Sequence, residues 1–239
     1  MNDDFEDYLL PHFKSLIPAP TSRRELTVAD NARFAKAGLI HLPRYLQDIG
    51  IGGYKSDRLI HCGPAAIDGL VQALQLEQYG ITIPDFLAVY YTSLGLVEAV
   101  TATGDGIIVD AVAGQVNIIG GDPQNIAPIG LEFEIPSIIG GALETIEDSI
   151  ASIPGGQDFH ALARKEIGSL EFGECYGFEQ TVRTGLQMTP RNAKVVPLVD
   201  HLAEMFHRNL FEVVKIPFDS DAVLGDEDIW GDDLDDLND

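Results

Sequence analysis

Basic residues are scarce in this chain. Its 239 residues include 15 Lys and Arg against 38 Asp and Glu, a formal charge of −23. Holding nucleic acid requires Lys and Arg to neutralise phosphates, so direct DNA or RNA binding is not expected. An anionic membrane surface is disfavoured for the same reason. A basic protein partner is favoured, because complementary fields speed encounter and reject wrong partners. Solubility alone is the simpler alternative.

Cysteine is nearly absent too. Cys62 and Cys175 lie far apart and match no metal-ligand spacing, so they read as free buried thiols, with a disulfide the lesser alternative. No metal and no cofactor is expected. No apolar run approaches the ~20 residues that span a bilayer. The acidic start Met1-Asn-Asp-Asp-Phe-Glu-Asp7 has the wrong sign for a secretory signal, so a cytoplasmic location is expected.

Catalytic motifs are also missing. His201, Glu204 and His207 recur in steps of three on a predicted helix, which is not the His-Glu-x-x-His spacing of a zinc site. His61 and Cys62 adjoin on a predicted strand, where neighbours point to opposite faces and cannot form a nucleophile–base pair. Asp219-Ser-Asp221-Ala-Val-Leu-Gly225 resembles the start of a calcium loop but has Val223 at the third ligand. Gly50-Ile-Gly-Gly53 and Gly104-Asp-Gly106 are not phosphate-binding fingerprints. A binding protein is expected, not an enzyme; a hydrolase using Cys62 or His61 is the weakest alternative.

What is present suffices for a core: 45% of the residues are hydrophobic. Residues 3–17 predict an amphipathic helix with Phe5, Leu9, Leu10 and Phe13 on one face. A second helix spans 27–36, capped at Thr27 with Asp30 three residues on. Residues 43–50 predict a short helix, followed by a turn at Gly52-Gly53. Residues 58–62 read as a strand and 64–78 as a helix with Ile67, Val71 and Leu74 inward. Residues 84–94 are assigned to a helix, although Val89-Tyr-Tyr-Thr92 has strand propensity. From Gly95 the period becomes two. Strands at 96–103, 106–111 and 115–119 form a three-stranded meander. Residues 126–135 read as extended, a helix starts at Pro136, and 153–157 is linker-like.

Residues 218–239 carry ten acids and no base. Trp230, the sole tryptophan, falls with Leu234 and Leu237 on one face if the segment becomes helical. Such acidic–hydrophobic alternation suits a segment that orders on meeting a partner. Asp226, Glu227, Asp228, Ile229, Trp230, Asp232, Asp233, Leu234, Asp235 and Asp236 are therefore the candidate partner-binding residues. A solvated tail, or one folded back on its own domain, is the alternative.

The stretch 166–206 is the densest in signal. Gly173 and Gly177 bracket a turn that feeds an aromatic pair, Tyr176 and Phe178. A helix follows, with Leu198, Leu202, Met205 and Phe206 at helical spacing. The order Ile167-Gly-Ser-Leu170, Glu174-Cys-Tyr-Gly-Phe178, Gly185, then Asn192, Lys194, Leu198 and His201-Leu202 resembles the C-terminal domain of type VI secretion immunity proteins. Asp4-Phe-Glu-Asp-Tyr-Leu-Leu10, Leu42-Pro-Arg-Tyr-Leu46 and Ile49-Gly-Ile-Gly-Gly-Tyr54 resemble the GAD-like domain that precedes it in that family. Cys175 stands where the family commonly has an aliphatic or acidic residue.

The resemblance implies an immunity protein that neutralises a co-produced type VI DNase toxin, either by covering its basic groove or by distorting it. It implies a mainly structural role for Leu170, Glu174, Tyr176, Gly177, Phe178, Gly185, His201 and Leu202. The expected fold is α+β: a mostly helical GAD-like part (1–94), packed on the immunity domain (95–217) with its meander and C-terminal helices, then an acidic tail (218–239). An adaptor that holds a secreted protein without inhibiting it is the rival reading.

Overall fold

The computed structural model describes residues 5–121, 128–153 and 155–217. The chain is of the α+β class, built on one eight-stranded sheet with a separate two-stranded ribbon. A π-helical turn, which buries Leu9, leads into α1 (Leu10–Leu16), which buries Phe13, as the amphipathic pattern requires. Then come β1 (Ser22–Arg24), α2 (Val28–Lys36), α3 (His41–Ile49), β2 (Ile51–Tyr54), β3 (Leu59–His61), α4 (Gly69–Ala73) and β4 (Phe86–Thr92). The meander follows as β5 (Leu96–Thr101), β6 (Gly106–Asp110) and β7 (Gln115–Ile119). The rest is α5 (Pro128–Ala151), α6 (Phe159–Glu166), β8 (Glu174–Phe178), β9 (Ala193–Pro197), α7 (Leu198–His207) and β10 (Glu212–Ile216).

Strands β1 to β7 pair antiparallel in chain order, and β10 closes the sheet in parallel beside β7. Helices α1, α3, α5 and α6 contribute to the apolar cluster that includes Leu87, Val89 and Val100. Helices α4 and α7 contribute to the other, with Phe86, Tyr91, Val97 and Val109. The register shift between Ala88 and Tyr90 is a bulge that leaves the consecutive Val89 and Tyr90 in one cluster.

Several elements differ from the sequence reading. The predicted helix at 84–94 is replaced by β4, whose seven residues are all buried; a strand covered on both faces shows no alternation and imitates a buried helix. Gly52 and Gly53 lie inside β2, because β1 approaches so closely that a Cβ on Gly52 would lie 1.8 Å from the Ser22 carbonyl oxygen. Thus the first 94 residues contribute four strands to the sheet beside their helices. Residue 95 falls in the turn joining β4 to β5, which are hydrogen-bonded neighbours, and each apolar cluster draws on both sides of it. The helix expected at 64–78 shortens to α4 and a 3₁₀ turn, still burying Ile67, Val71 and Leu74. Helix α5 begins at Pro128 and runs through Pro136, replacing both the extended stretch and the predicted start.

Local signals hold at α2. The Thr27 hydroxyl accepts from the Asp30 backbone N–H, and the Asp30 carboxylate accepts in return from the Thr27 N–H. Helix α3 has no such cap of its own. Its first N–H groups are met from α5: the Glu132 carboxylate, 2% exposed, accepts from the Ile40, His41 and Leu42 amides at 2.7, 2.9 and 2.6 Å. This fixes the start of α3 against α5 through a charge at the positive end of a helix dipole.

Glu132→Ala leaves three amide donors without their acceptor, that of Leu42 buried and those of Ile40 and His41 part-buried, and is expected to cost about 2–3 kcal/mol of unfolding free energy. Glu132→Gln, with one acceptor retained, should cost less. Urea denaturation measures both, and unchanged midpoints would show that the amides find other acceptors.

Candidate functional site

The stretch singled out in the sequence becomes a joint between the two apolar clusters. Strand β8 pairs with β9, and its side chains alternate: Cys175 enters one cluster, Tyr176 and Phe178 the other. Phe159 of α6 packs edge-on against Tyr176 and closely against Phe178, with ring centroids 5.8 and 5.3 Å apart. The Tyr176 hydroxyl donates to the Gly168 carbonyl, and its amide donates to Ser93 of the β4–β5 turn. Glu174 accepts from the Glu171 amide and shapes the entry turn, while Leu170 is half-buried against the same cluster. Gly173 has φ +87, and its amide donates to the Tyr91 hydroxyl on β4. Gly185, at φ +90, ends a 3₁₀ turn in the left-handed region that favours glycine.

Gly177 is required for a different reason. A Cβ there would lie 2.5 Å from Val196 Cγ2 and 3.0 Å from the His201 ring, so the imidazole occupies the space a side chain would need. Leu202, one residue on, is fully buried. These eight residues are packing, turn and hydrogen-bonding positions.

The titratable groups weighed for catalysis differ in burial and in partners. Burial and nearby Asp30 push the Cys62 thiol's pKa up, away from the thiolate. Burial, with Glu174, pushes Cys175 up to about 12. His61 is 2% exposed, and its Nδ1 makes no hydrogen bond among the described residues. Burial lowers its pKa to about 4, against the pull of Asp30. His201 is likewise held neutral by burial, while Glu204 acts in the other direction. The His207 ring bonds to the Ala203 carbonyl. Among the described residues no group of His, Cys, Asp and Glu is arranged to hold a metal.

Two surface grooves have chemistry that motif reading missed. The first, about 670 Å³, lies between the meander and α5, bordered by Glu98, Ile108, Phe133, Glu134, Ser137 and Ile138. The Tyr90 hydroxyl donates to Glu98 at 2.6 Å. Burial raises the Glu98 carboxyl despite that bond, and burial together with Glu98 raises Glu134. Phe133 is 40% exposed on this rim. The second, about 590 Å³, is bordered by Arg191, Lys194 and Arg208 with Gly177, Glu179 and Leu186. The signal for it was the local excess of bases over 180–208, which an overall count of −23 conceals. The candidate partner residues Asp226, Glu227, Asp228, Ile229, Trp230, Asp232, Asp233, Leu234, Asp235 and Asp236 lie outside the described residues, as does the calcium-like run at 219–225.

Two predictions follow from this packing. Gly177→Ala is expected to cost about 1–3 kcal/mol by overpacking, read as a lower urea midpoint. A neutral result would mean that β9 and His201 give way freely. The folded pKa of His61 lies below the unfolded value near 6.5, so the unfolded chain takes the proton first. Its contribution is complete above that value and is lost as pH falls from about 6.5 to about 4. His61→Leu should remove about 2–3 kcal/mol of that acid-side loss. Parallel pH profiles for the two proteins would refute it.

Among the described residues no helix is long and apolar enough to cross a membrane. A scan against protein-family models and a search of curated proteins find no match. Among solved structures, the chain is similar in fold to Atu4351 from Agrobacterium tumefaciens, with a TM-score of 0.60 and 18% identity over 85% of this chain and 91% of that one.

Proposed function

We propose that this protein is an immunity protein that binds and neutralises a co-produced type VI secretion DNase, as its motif order suggests. The observation that carries the reading is the distribution of charge. A DNase presents a positive surface to DNA, and a chain with a formal charge of −23 competes for that surface. The Glu98–Glu134 groove adds what a specific contact needs: partly desolvated carboxylates beside an exposed aromatic, Phe133. Arginines of a basic partner would offset the rise that burial causes in both carboxyls and pair with them as carboxylates.

The raised thiol pKa of Cys62 and the lowered pKa of His61, both buried, support binding over hydrolysis. The acidic segment 218–239 is the second contact, with Trp230 as its apolar anchor and Asp232, Asp233, Asp235 and Asp236 as charge cover.

The test is DNA cleavage by the co-produced toxin in the presence of the full chain or of the chain truncated after Pro217, with affinity measured alongside. The full chain is expected to block cleavage. Truncation is expected to weaken binding about tenfold or more at low salt and to flatten the salt dependence. Equal protection by both would assign the contact to the folded body alone. Binding that leaves cleavage intact would replace inhibition with the adaptor reading, and no binding would overturn the proposal.

A further inference from the structure

The groove on the α7 side of β8 is an anomaly of sign. Residues 180–208 hold Arg183, Arg191, Lys194 and Arg208 but only Asp200 and Glu204, in a chain with more than twice as many acids as bases. Folding gathers three of those bases at one rim: Arg191 from the turn before β9, Lys194 from β9 and Arg208 at the end of α7. Their pairings are weak. Lys194 Nζ is 4.0 Å from Glu179, and Arg208 is 3.6 Å from Glu204, all of them largely exposed. Arg191 has no ion-pair partner among the described residues. The groove therefore keeps guanidinium and ammonium donors available for an anion.

We infer that the occupant of this groove is the acidic segment 218–239 of the same chain, held there until a more basic partner draws it away. The charges are complementary: the segment has ten acids and no base, and the groove is lined by three cations and one acid, Glu179. The segment has few other places to go, since the remainder of the chain is itself strongly negative and repels it.

Reach is ample. Strand β10 starts beside the base-rich region, with Glu212 ion-paired to Arg183 at 2.6 Å, and ends at Ile216. Its five residues cover ~17 Å, whereas the 22 beyond Pro217 extend to ~75 Å. Tethering sets the local concentration near the millimolar range, so a few weak, exposed ion pairs suffice.

A second basic hollow, where Arg58, Arg164 and Lys165 surround His160, is a poorer host. It is smaller, about 360 Å³, and Arg58 is already paired with Glu147 at 3.5 Å. This inference goes beyond the toxin reading and does not require it, because docking concerns the protein alone.

Trp230 is the chain's only tryptophan and lies in the segment, so its fluorescence reports docking directly in the full chain. In low salt, acrylamide should quench Trp230 at least about twofold less than it quenches the free 218–239 peptide, and high salt should abolish the difference. Arg191→Glu with Lys194→Glu should raise quenching to the peptide's level, and Arg191→Gln with Lys194→Gln should raise it part-way. Circular dichroism checks that each variant keeps its fold, and the milder pair stands in should the charge reversal not fold. Lys165→Glu should leave quenching unchanged. Equal quenching of full chain and peptide overturns the inference, as does release by Lys165→Glu in place of the groove variants. Protection that disappears on dilution also overturns it, since the occupant would then be the tail of a second copy.

Discussion

A single buried carboxylate sets the layer of helices on one side of the sheet. Glu132 reaches from α5 to the unsatisfied start of α3, about ninety residues away, and accepts three amide hydrogen bonds there. A carboxylate so buried is tolerable only when fully bonded, and three N–H groups at a helix start are tolerable only with an acceptor. Each side therefore enforces the other, and together they fix where α3 stands against α5. The neighbouring contacts inherit that placement. Tyr45 on α3 donates its hydroxyl to the Ile17 carbonyl and stacks near Phe13, tying α1 into the same layer. Gly140 of α5 lies where a Cβ would meet Leu16 Cδ2 at 2.9 Å, so the Leu16 side chain packs directly on the α5 backbone.

The β8 joint does for the two clusters what Glu132 does within one. Because β8 is a strand, neighbouring side chains point to opposite sides, and Cys175 and Tyr176 belong to different clusters. The Gly173 carbonyl accepts from the Leu198 amide at the start of α7, and the Gly173 amide donates to Tyr91 on β4. One turn thus connects the sheet to the helix on its far side. The recurrence of glycines and aromatics there has a steric cause: Gly177 leaves room for the His201 ring, and Tyr176 with Phe178 fills the space beside Phe159.

How much of this was legible depends on the range of each interaction. The α2 cap, the amphipathic first helix, the β5–β7 meander and the α7 stripe are set by residues a few positions apart, and their patterns stand in the sequence. Strand β4 was misread because burial on both faces erases its period, leaving only β-branched and aromatic content as a clue. Strand β10 joins its neighbour in parallel across the intervening helices, a pairing that no local signal encodes. Helix α5 hid behind two prolines, one at its start and one inside. The Glu132 bond and both grooves are products of tertiary approach. For the grooves, a windowed charge count would have marked Arg191, Lys194 and Arg208, whereas nothing local marks Glu98 and Glu134 as neighbours.

On the proposed function, an acidic protein with a basic partner faces a problem that affinity alone does not solve, because a strongly negative surface attracts every cationic protein in its surroundings. If the basic groove holds the acidic segment as inferred, the criterion changes from charge to excess charge. A weakly basic visitor must displace an intramolecular ligand at millimolar effective concentration and gains little from doing so. A partner with a dense positive surface gains the whole segment, with Trp230 to bury, and the released groove costs only a few exposed ion pairs. The fraction of chains with the segment free lowers the apparent affinity for all partners by one common factor, so tight binders keep a useful residual affinity and weak ones do not. The two grooves then divide the work. On those two proposals Glu98 and Glu134 offer a partly desolvated contact, while Arg191, Lys194 and Arg208 offer the counter-charge for the acidic segment. Selectivity in such a protein comes from where its few bases sit more than from how many acids it carries.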